Sequence, residues 1–158
     1  MAVTARCATD NDIPALLALY RELEEEQTAI KPMWRLADGL AEPAEGSLRE
    51  IIADTESFVV IGEIDGVPLG FAWGRSEPLL PQAGEARVAV VRLIYTTVEA
   101  RGIGVGDAMI RDVLGEFRRR GHHLFDARVS PGHRLAKNFF ESNGFSARLI
   151  VMHHADDV

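Results

Sequence analysis

The sequence predicts an α/β (α+β) fold: a mixed, mostly antiparallel, twisted sheet of about six to seven strands with one parallel βαβ crossover, flanked by about four helices. Three observations predict it. Runs rich in β-branched residues alternate with amphipathic helical patterns along the chain. Asp65-Gly66 stands between two apolar runs as a hairpin turn signal. The densely apolar stretch 87–97 leads into a glycine-rich turn, a helical pattern and a further strand, which is the order of a crossover.

Residues 3–8 alternate well enough for a first strand. Thr9-Asp10-Asn11-Asp12 with Pro14 supplies cap residues and a first-turn proline for a helix over 13–26. Its Ile13, Leu16, Leu17, Leu19, Tyr20 and Leu23 recur at three- and four-residue spacing. Residues 27–46 show no period and carry Met33 and Trp34, and a short helix is expected over 47–53. Residues 57–64 and 67–75 form the hairpin, and Pro78 and Pro81 mark a loop. Val88, Val90, Val91, Leu93, Ile94 and Tyr95 are too apolar for a strand with one wet face, so 87–97 is placed at the centre of the sheet.

A helix over 105–120 follows from Val105, Met109, Ile110, Val113, Leu114 and Phe117, with Arg118, Arg119 and Arg120 favouring its dipole end and Gly121 stopping it. A strand over 123–129, a helix over 135–142 closed by Asn143-Gly144, and a last strand over 145–153 complete the sheet.

At 158 residues the chain reads as a single domain, 1–158, able to bury roughly 70% of its unfolded surface. Its one cysteine, Cys7, excludes an internal disulfide framework and reads as a small buried apolar residue of the first strand rather than a nucleophile. No apolar stretch reaches the roughly 18–20 residues of a membrane span, and the first residues carry no signal-peptide pattern, so a soluble cytoplasmic protein is expected. The net charge of −7 disfavours indiscriminate nucleic-acid binding and suits a cationic partner. Glu22, Glu24, Glu25 and Glu26 read as the solvated end of a helix, with a substrate-attracting rim as the alternative. The doublets His122-His123 and His153-His154 are adjacent residues that a strand points to opposite faces, so no metal site is expected.

The chemistry concentrates in Arg101, Gly102, Ile103, Gly104, Val105 and Gly106. Glycines let a backbone turn tightly and approach a ligand, and the following helix start offers unpaired N–H groups and a positive dipole end, so an anion is the expected guest. Walker A requires Lys-Ser or Lys-Thr after its last glycine, but Gly106 precedes Asp107-Ala108. The dinucleotide fingerprint requires Gly-x-Gly-x-x-Gly early in a Rossmann unit, and neither spacing nor position fits.

Arg101-x-x-Gly104-x-Gly106 resembles the acyl-CoA pyrophosphate loop of the GCN5-related N-acetyltransferases, the GNAT family: Arg or Gln, two residues, Gly, one residue, Gly or Ala. The element order fits, and Phe139-Phe140-Glu141-Ser142-Asn143-Gly144-Phe145, with Ala136 before it, resembles the family's aromatic pair, three residues, then Gly-Phe. The resemblance implies acetyl-CoA as acyl donor, a homodimer, and transfer to a primary amine of a small molecule or peptide by direct attack in a ternary complex. It implies that the main chain at Ile94, Tyr95 and Thr96 pairs with the pantetheine arm and faces the developing oxyanion. The backbone from Arg101 to Gly106, with His133 nearby, would hold the pyrophosphate.

Two positions depart from the family pattern. Phe140 stands where many members carry a tyrosine, and His133 where they often carry asparagine. Candidate general acids are therefore His133, Tyr95 and Ser130, with direct loss of thiolate to solvent left open; Glu85 and Glu99 are base candidates. Trp34 either lines the acceptor cleft or plugs the core. Two other readings are carried forward: a non-catalytic acyl-CoA binding module, and an association subunit using the apolar stretch 149–152.

Overall fold

The computed structural model describes residues 1–31 and 38–157 of the chain. In order, the elements are β1 (Val3–Cys7), α1 (Ile13–Ile30), α2 (Ala44–Ala53), β2 (Ser57–Ile64), β3 (Val67–Pro78), β4 (Arg87–Thr96), α3 (Val105–Arg119), β5 (Phe125–Ala127) and α4 (Arg134–Ser142). The strands form one sheet in sequence order. Neighbours from β1 to β4 pair antiparallel, and β4 with β5 parallel. The mixed sheet, the four helices among the described residues and the crossover match the expected class.

The central strands are apolar on both faces because each face carries a core. Val59, Ile61, Phe71, Trp73, Leu93 and Tyr95 pack against Leu16, Tyr20 and Leu23 of α1 and Leu48 of α2. Val60, Ala72, Ala89 and Val91 pack against Val105, Met109, Val113 and Phe117 of α3 and Phe140 of α4. The alternation of Val59, Val60 and Ile61 between the two cores is the period of two expected of a strand.

α3 and α4 end in the same way, and the second ending is the aromatic pair and Gly-Phe of the sequence. Gly144 takes φ +88°, its N–H donates to Glu141 C=O at 3.1 Å, and the Phe145 N–H donates to Phe140 C=O at 3.0 Å. That is a Schellman cap, and its usual apolar contact is the edge-on pair Phe140–Phe145, with ring centroids 5.3 Å apart. At α3, Gly121 donates to Arg118 C=O and His122 to Phe117 C=O, with the Phe117 and His122 rings again 5.3 Å apart.

Three expectations change. The sheet has five strands among the described residues rather than six to seven, because 145–153 forms no strand. Apolar, β-branched composition does not make a strand without a neighbouring edge to take up its N–H and C=O groups. Second, Cys7 is exposed rather than buried. Partial burial of its thiol, then the nearby Asp112 and Glu116 carboxylates, raises its pKa, the direction opposite to an activated nucleophile. Third, α1 runs to Ile30, one turn beyond the expected end, because buried Gln27 continues the inward stripe after Leu23.

Candidate functional site at the diverging strands

The β4–β5 ladder stops early. The last partners are Val91 and Ala127, beyond which only Arg128 N–H reaches back to Val91 C=O, while β4 continues to Thr96 paired with β3. At the point of divergence Arg92 is an extra residue: Gly74 pairs with Val91 and Trp73 with Leu93. Its guanidinium is held by Asp38 and Glu77 and lies over the Trp73 ring at 5.6 Å. Beyond the bulge, Thr97 N–H donates to Leu69 C=O on the β3 side. Alternation therefore turns the N–H and C=O groups of Ile94 and Thr96 toward the opening. An extended ligand can pair there as an added strand.

The open edge runs into the glycine turn. Gly104 is the N-cap of α3 with φ +108° and ψ 5°, and no side chain caps the helix. Ala108 N–H donates to Gly104 C=O at 3.0 Å, opening the helical ladder, so the N–H groups of Val105, Gly106 and Asp107 precede any intrahelical acceptor. A Cβ at Gly102 or Gly104 would meet nothing within 4 Å, so the space above the turn is open. At Gly106 a Cβ would lie 2.9 Å from Phe139 Cε1, so this glycine serves the contact with α4. Donors, dipole and space together fit a pyrophosphate.

Arg101 folds back onto the end of β4 and is held by groups of α1 and β4. Its Nε donates to Thr96 C=O at 2.9 Å, an Nη lies 2.6 Å from Glu26 Oε1, and the guanidinium stands 5.4 Å over the Tyr95 ring. Glu26 also faces His133, whose Nε2 is 3.4 Å from Oε2. His133 is buried and caps α4: its Nδ1 accepts the Ala136 N–H at 3.1 Å. An accepting Nδ1 puts the proton of the neutral ring on Nε2, toward Glu26. The Ser130 C=O accepts the His133 N–H at 3.1 Å, so both residues sit in one turn before α4.

Tyr95 is buried on the α1 side, and its hydroxyl donates to Glu22 Oε1 at 3.1 Å. Burial first, then that bond and the nearby Glu22 and Glu26 charges, push its pKa up to about 12. Thr97 Oγ1 is 3.0 Å from Glu22 and 3.1 Å from Glu99. Phe140 is buried in the α3–α4 core, edge-on to both Phe139 and Phe145.

The structure thus gathers Ile94, Tyr95, Thr96, Glu99, the Arg101–Gly106 turn and His133 at one end of β4. Glu85 precedes the other end of that strand, and Trp34 lies outside the described residues. In the sequence Glu22 and Glu26 stand only in the acidic run, read as a solvated helix end with a substrate-attracting rim as the alternative, and not as individual site residues. They are not part of a solvated helix end: four residues apart, they flank the buried Leu23 and face β4 and the turn. Their spacing beside the apolar stripe was the available signal.

No curated protein matches the chain. Among solved structures, AAC(6')-Iy in complex with the bisubstrate analogue CoA-S-monomethyl-acetylneamine is similar over 100% of both chains, with 17% identity and a TM-score of 0.75. A predicted acetyltransferase with acetyl-CoA from Clostridium acetobutylicum is similar over 98% of this chain and 96% of its own, at 16% identity and a TM-score of 0.75. The ribosomal-protein-alanine N-acetyltransferase of Brucella melitensis biovar Abortus 2308 is similar over 98% and 100%, at 15% identity and a TM-score of 0.72. These likenesses are of fold. The acetyltransferase (GNAT) family model matches residues 14–145, and with the open β4 edge and the uncapped helix start in place, the chain belongs to the GNAT acetyltransferase family.

Proposed function

We propose that the protein transfers an acetyl group from acetyl-CoA to a primary amine of a small molecule or peptide, by direct attack with both substrates bound. The observation that carries this reading is the β4 edge left without a strand neighbour at Ile94 and Thr96, where only the Thr96 C=O is taken, by Arg101, running into the uncapped, glycine-turned start of α3. The aminoglycoside-derived analogue on AAC(6')-Iy and the protein substrate in the name of the Brucella enzyme support an amine as acceptor.

CoA supplies the acetyl group as a thioester, an acyl carrier with a good leaving group. The backbone N–H groups from Gly102 to Gly106 hold its pyrophosphate. Ile94 and Thr96 N–H groups align the arm, and one of them faces the carbonyl oxygen on which charge develops. A lysine-like amine has only about 1 in 2,500 of its molecules unprotonated at pH 7, an α-amine about 1 in 10. Glu22 and Glu99, at the end of β4, draw the cationic amine in and accept the proton it must shed. Of the candidate acids, Tyr95 directs its proton to Glu22 and His133 to Glu26, and Ser130 stands in the turn before α4. We therefore infer that the thiolate leaves toward solvent, without a dedicated acid.

A second reading follows from the same engaged protons and from Phe140: a module that binds acyl-CoA without turning it over. Calorimetry with acetyl-CoA and thiol release over a panel of primary amines, amino acids and peptides separate the two. The catalytic reading expects binding and release with at least one amine class; binding with no release across the panel selects the second. Gly104→Glu adds a side chain at φ +108° and a negative charge at the helix start, and retention of acetyl-CoA affinity by that variant would sink both.

A further inference from the structure

The fork between β4 and β5 has two walls. One is the end of β4 with the glycine turn, and the other runs from Arg128 through the turn at Ser130 and His133 to the start of α4. Past the bond from Arg128 N–H to Val91 C=O, no ladder spans them among the described residues. The last turns of α1 lie against both: the Tyr95 hydroxyl reaches Glu22 on the β4 side, and a Cβ at Gly132 would lie 3.6 Å from Ile30 Cγ2 on the α4 side.

Between these two contacts stands Glu26, whose two oxygens divide between the walls. Oε1 takes an Arg101 Nη at 2.6 Å, and Arg101 Nε in turn donates to Thr96 C=O at 2.9 Å. Oε2 faces His133 Nε2 at 3.4 Å, and His133 Nδ1 accepts the Ala136 N–H at 3.1 Å. One chain of polar contacts thus runs from the last residue of β4 to the first turn of α4. The side chains of Arg101, Glu26 and His133 are 25%, 20% and 8% exposed, and charge-assisted bonds shielded from water in this way are the strong ones. The link falls where the sequence departs from its family's pattern. Asparagine, frequent at the position of His133, caps a helix as well, but its amide ends one bond short of where the ring carries Nε2. Histidine keeps the cap and adds the reach to Glu26.

We propose that Arg101, Glu26 and His133 clasp the two walls together and fix the width of the cleft that receives acetyl-CoA. Glu26 and His133 are positioning residues: they act through Arg101 on one side and through the cap of α4 on the other. The proposal rests on the acetyl-CoA reading of the site. With the clasp broken, the walls take several separations, and only a fraction of the molecules hold the β4 edge and the facing wall at the distance one ligand spans. The apparent Kd rises by the inverse of that fraction. Phe139 against Gly106 joins the same walls from the α3 side, so loss of the clasp broadens the separation without parting them. The fixed tautomer makes the arrangement specific. A ring that accepts at Nδ1 has its proton at Nε2, where a carboxylate oxygen is the fitting partner.

Glu26→Asp keeps the charge but is one bond too short to reach both partners, and His133→Ser keeps a preferred helix cap with nothing in reach of Glu26. The full chain is titrated with acetyl-CoA well below its melting midpoint, where a loss of stability alone leaves affinity unchanged. Each variant is expected to bind about 10-fold more weakly, the scale of one hydrogen bond to a charged group. The double variant should bind no more weakly than the weaker single one, because both substitutions break the same link. Nitrogen-15 NMR of the unsubstituted chain, recorded above the ordinary histidine range, depends on no variant folding and should find the His133 proton on Nε2. Unchanged affinity in either single variant overturns the clasp and leaves the acetyl-CoA reading standing, as do two effects that multiply in the double variant. A proton on Nδ1 overturns the clasp as well, because the ring could not then cap α4 while facing Glu26. If the unsubstituted chain does not bind acetyl-CoA, the clasp and the reading beneath it fall together.

Discussion

Replacing Gly104 by alanine isolates the glycine turn from everything packed around it. The residue sits at φ +108°, and an added Cβ meets nothing within 4 Å, so the cost is conformational and not steric. An L-residue in this region costs about 1–2 kcal/mol. For a chain of this size each kcal/mol lowers Tm by roughly 2–4 °C, giving a loss of about 2–8 °C. If the backbone relieves the strain by rotating, an N–H group leaves its aim. One lost hydrogen bond to a charged group, about 1.5–3 kcal/mol, weakens acetyl-CoA binding about 10- to 150-fold. Gly121 is the internal control: it too has positive φ, +95°, with nothing within 4 Å, but lies past the other end of α3. Gly121→Ala should lose comparable stability and keep full affinity, measured by calorimetric melting and by titration with acetyl-CoA. If Gly104→Ala melts lower yet binds as tightly as the unsubstituted protein, the turn does not hold the pyrophosphate.

Gly106→Ala forces a methyl to within 2.9 Å of Phe139, and should cost about 1–3 kcal/mol in a urea titration, the range for overpacking a core. Arg6→Met strips the guanidinium that holds Asp12 at 2.8 Å and Glu63 at 3.1 Å. Because Arg6 is half exposed, the expected loss near neutral pH is about 1–3 kcal/mol, below the figure for a fully buried pair. The hydrogen bond from Arg6 holds Asp12 below the usual carboxylate range. Its stabilisation is thus complete above the unfolded value near pH 4 and lost as pH falls through the depressed folded value, and an acid titration of the variant should lack that limb. Both tyrosines of the chain are shifted upward, Tyr20 by burial and Tyr95 to about 12. Their ultraviolet titration should be displaced upward from the ordinary tyrosine range, and for Tyr95 stability should decline as pH rises from about 10 to about 12, where the unfolded chain releases a proton that the folded one keeps.

What the sequence revealed was whatever one local pattern determines. The stripe from Ile13 to Leu23 and the hairpin at Asp65-Gly66 each state their geometry within a few residues, and so does the apolar density around Val90 and Val91. Gly144-Phe145 did as well: a glycine in the left-handed region and an aromatic five positions from its partner are one helix ending written out. Features that depend on two distant segments were hidden. Glu22 and Glu26 look like solvent-facing acids until Tyr95, Thr97, Arg101 and His133 are folded against them. The bulge at Arg92 is invisible because its cause is the register with β3. Residues 149–152 carry the composition of a strand and form none, because a strand also needs an edge to pair with and the sequence of the segment does not record one.

The contact between Gly106 and Phe139 reaches beyond packing. With no Cβ at 106, the Phe139 ring of α4 rests against the first turn of α3 and buttresses it. The donors at that turn are then aimed before any ligand arrives, and the entropy of ordering them is lost when the chain folds instead of when it binds. On the proposed function, affinity for the pyrophosphate is then set partly by a phenylalanine that does not touch it. Loosening Phe139 should make association slower and weaker while every residue of the Arg101–Gly106 turn stays the same.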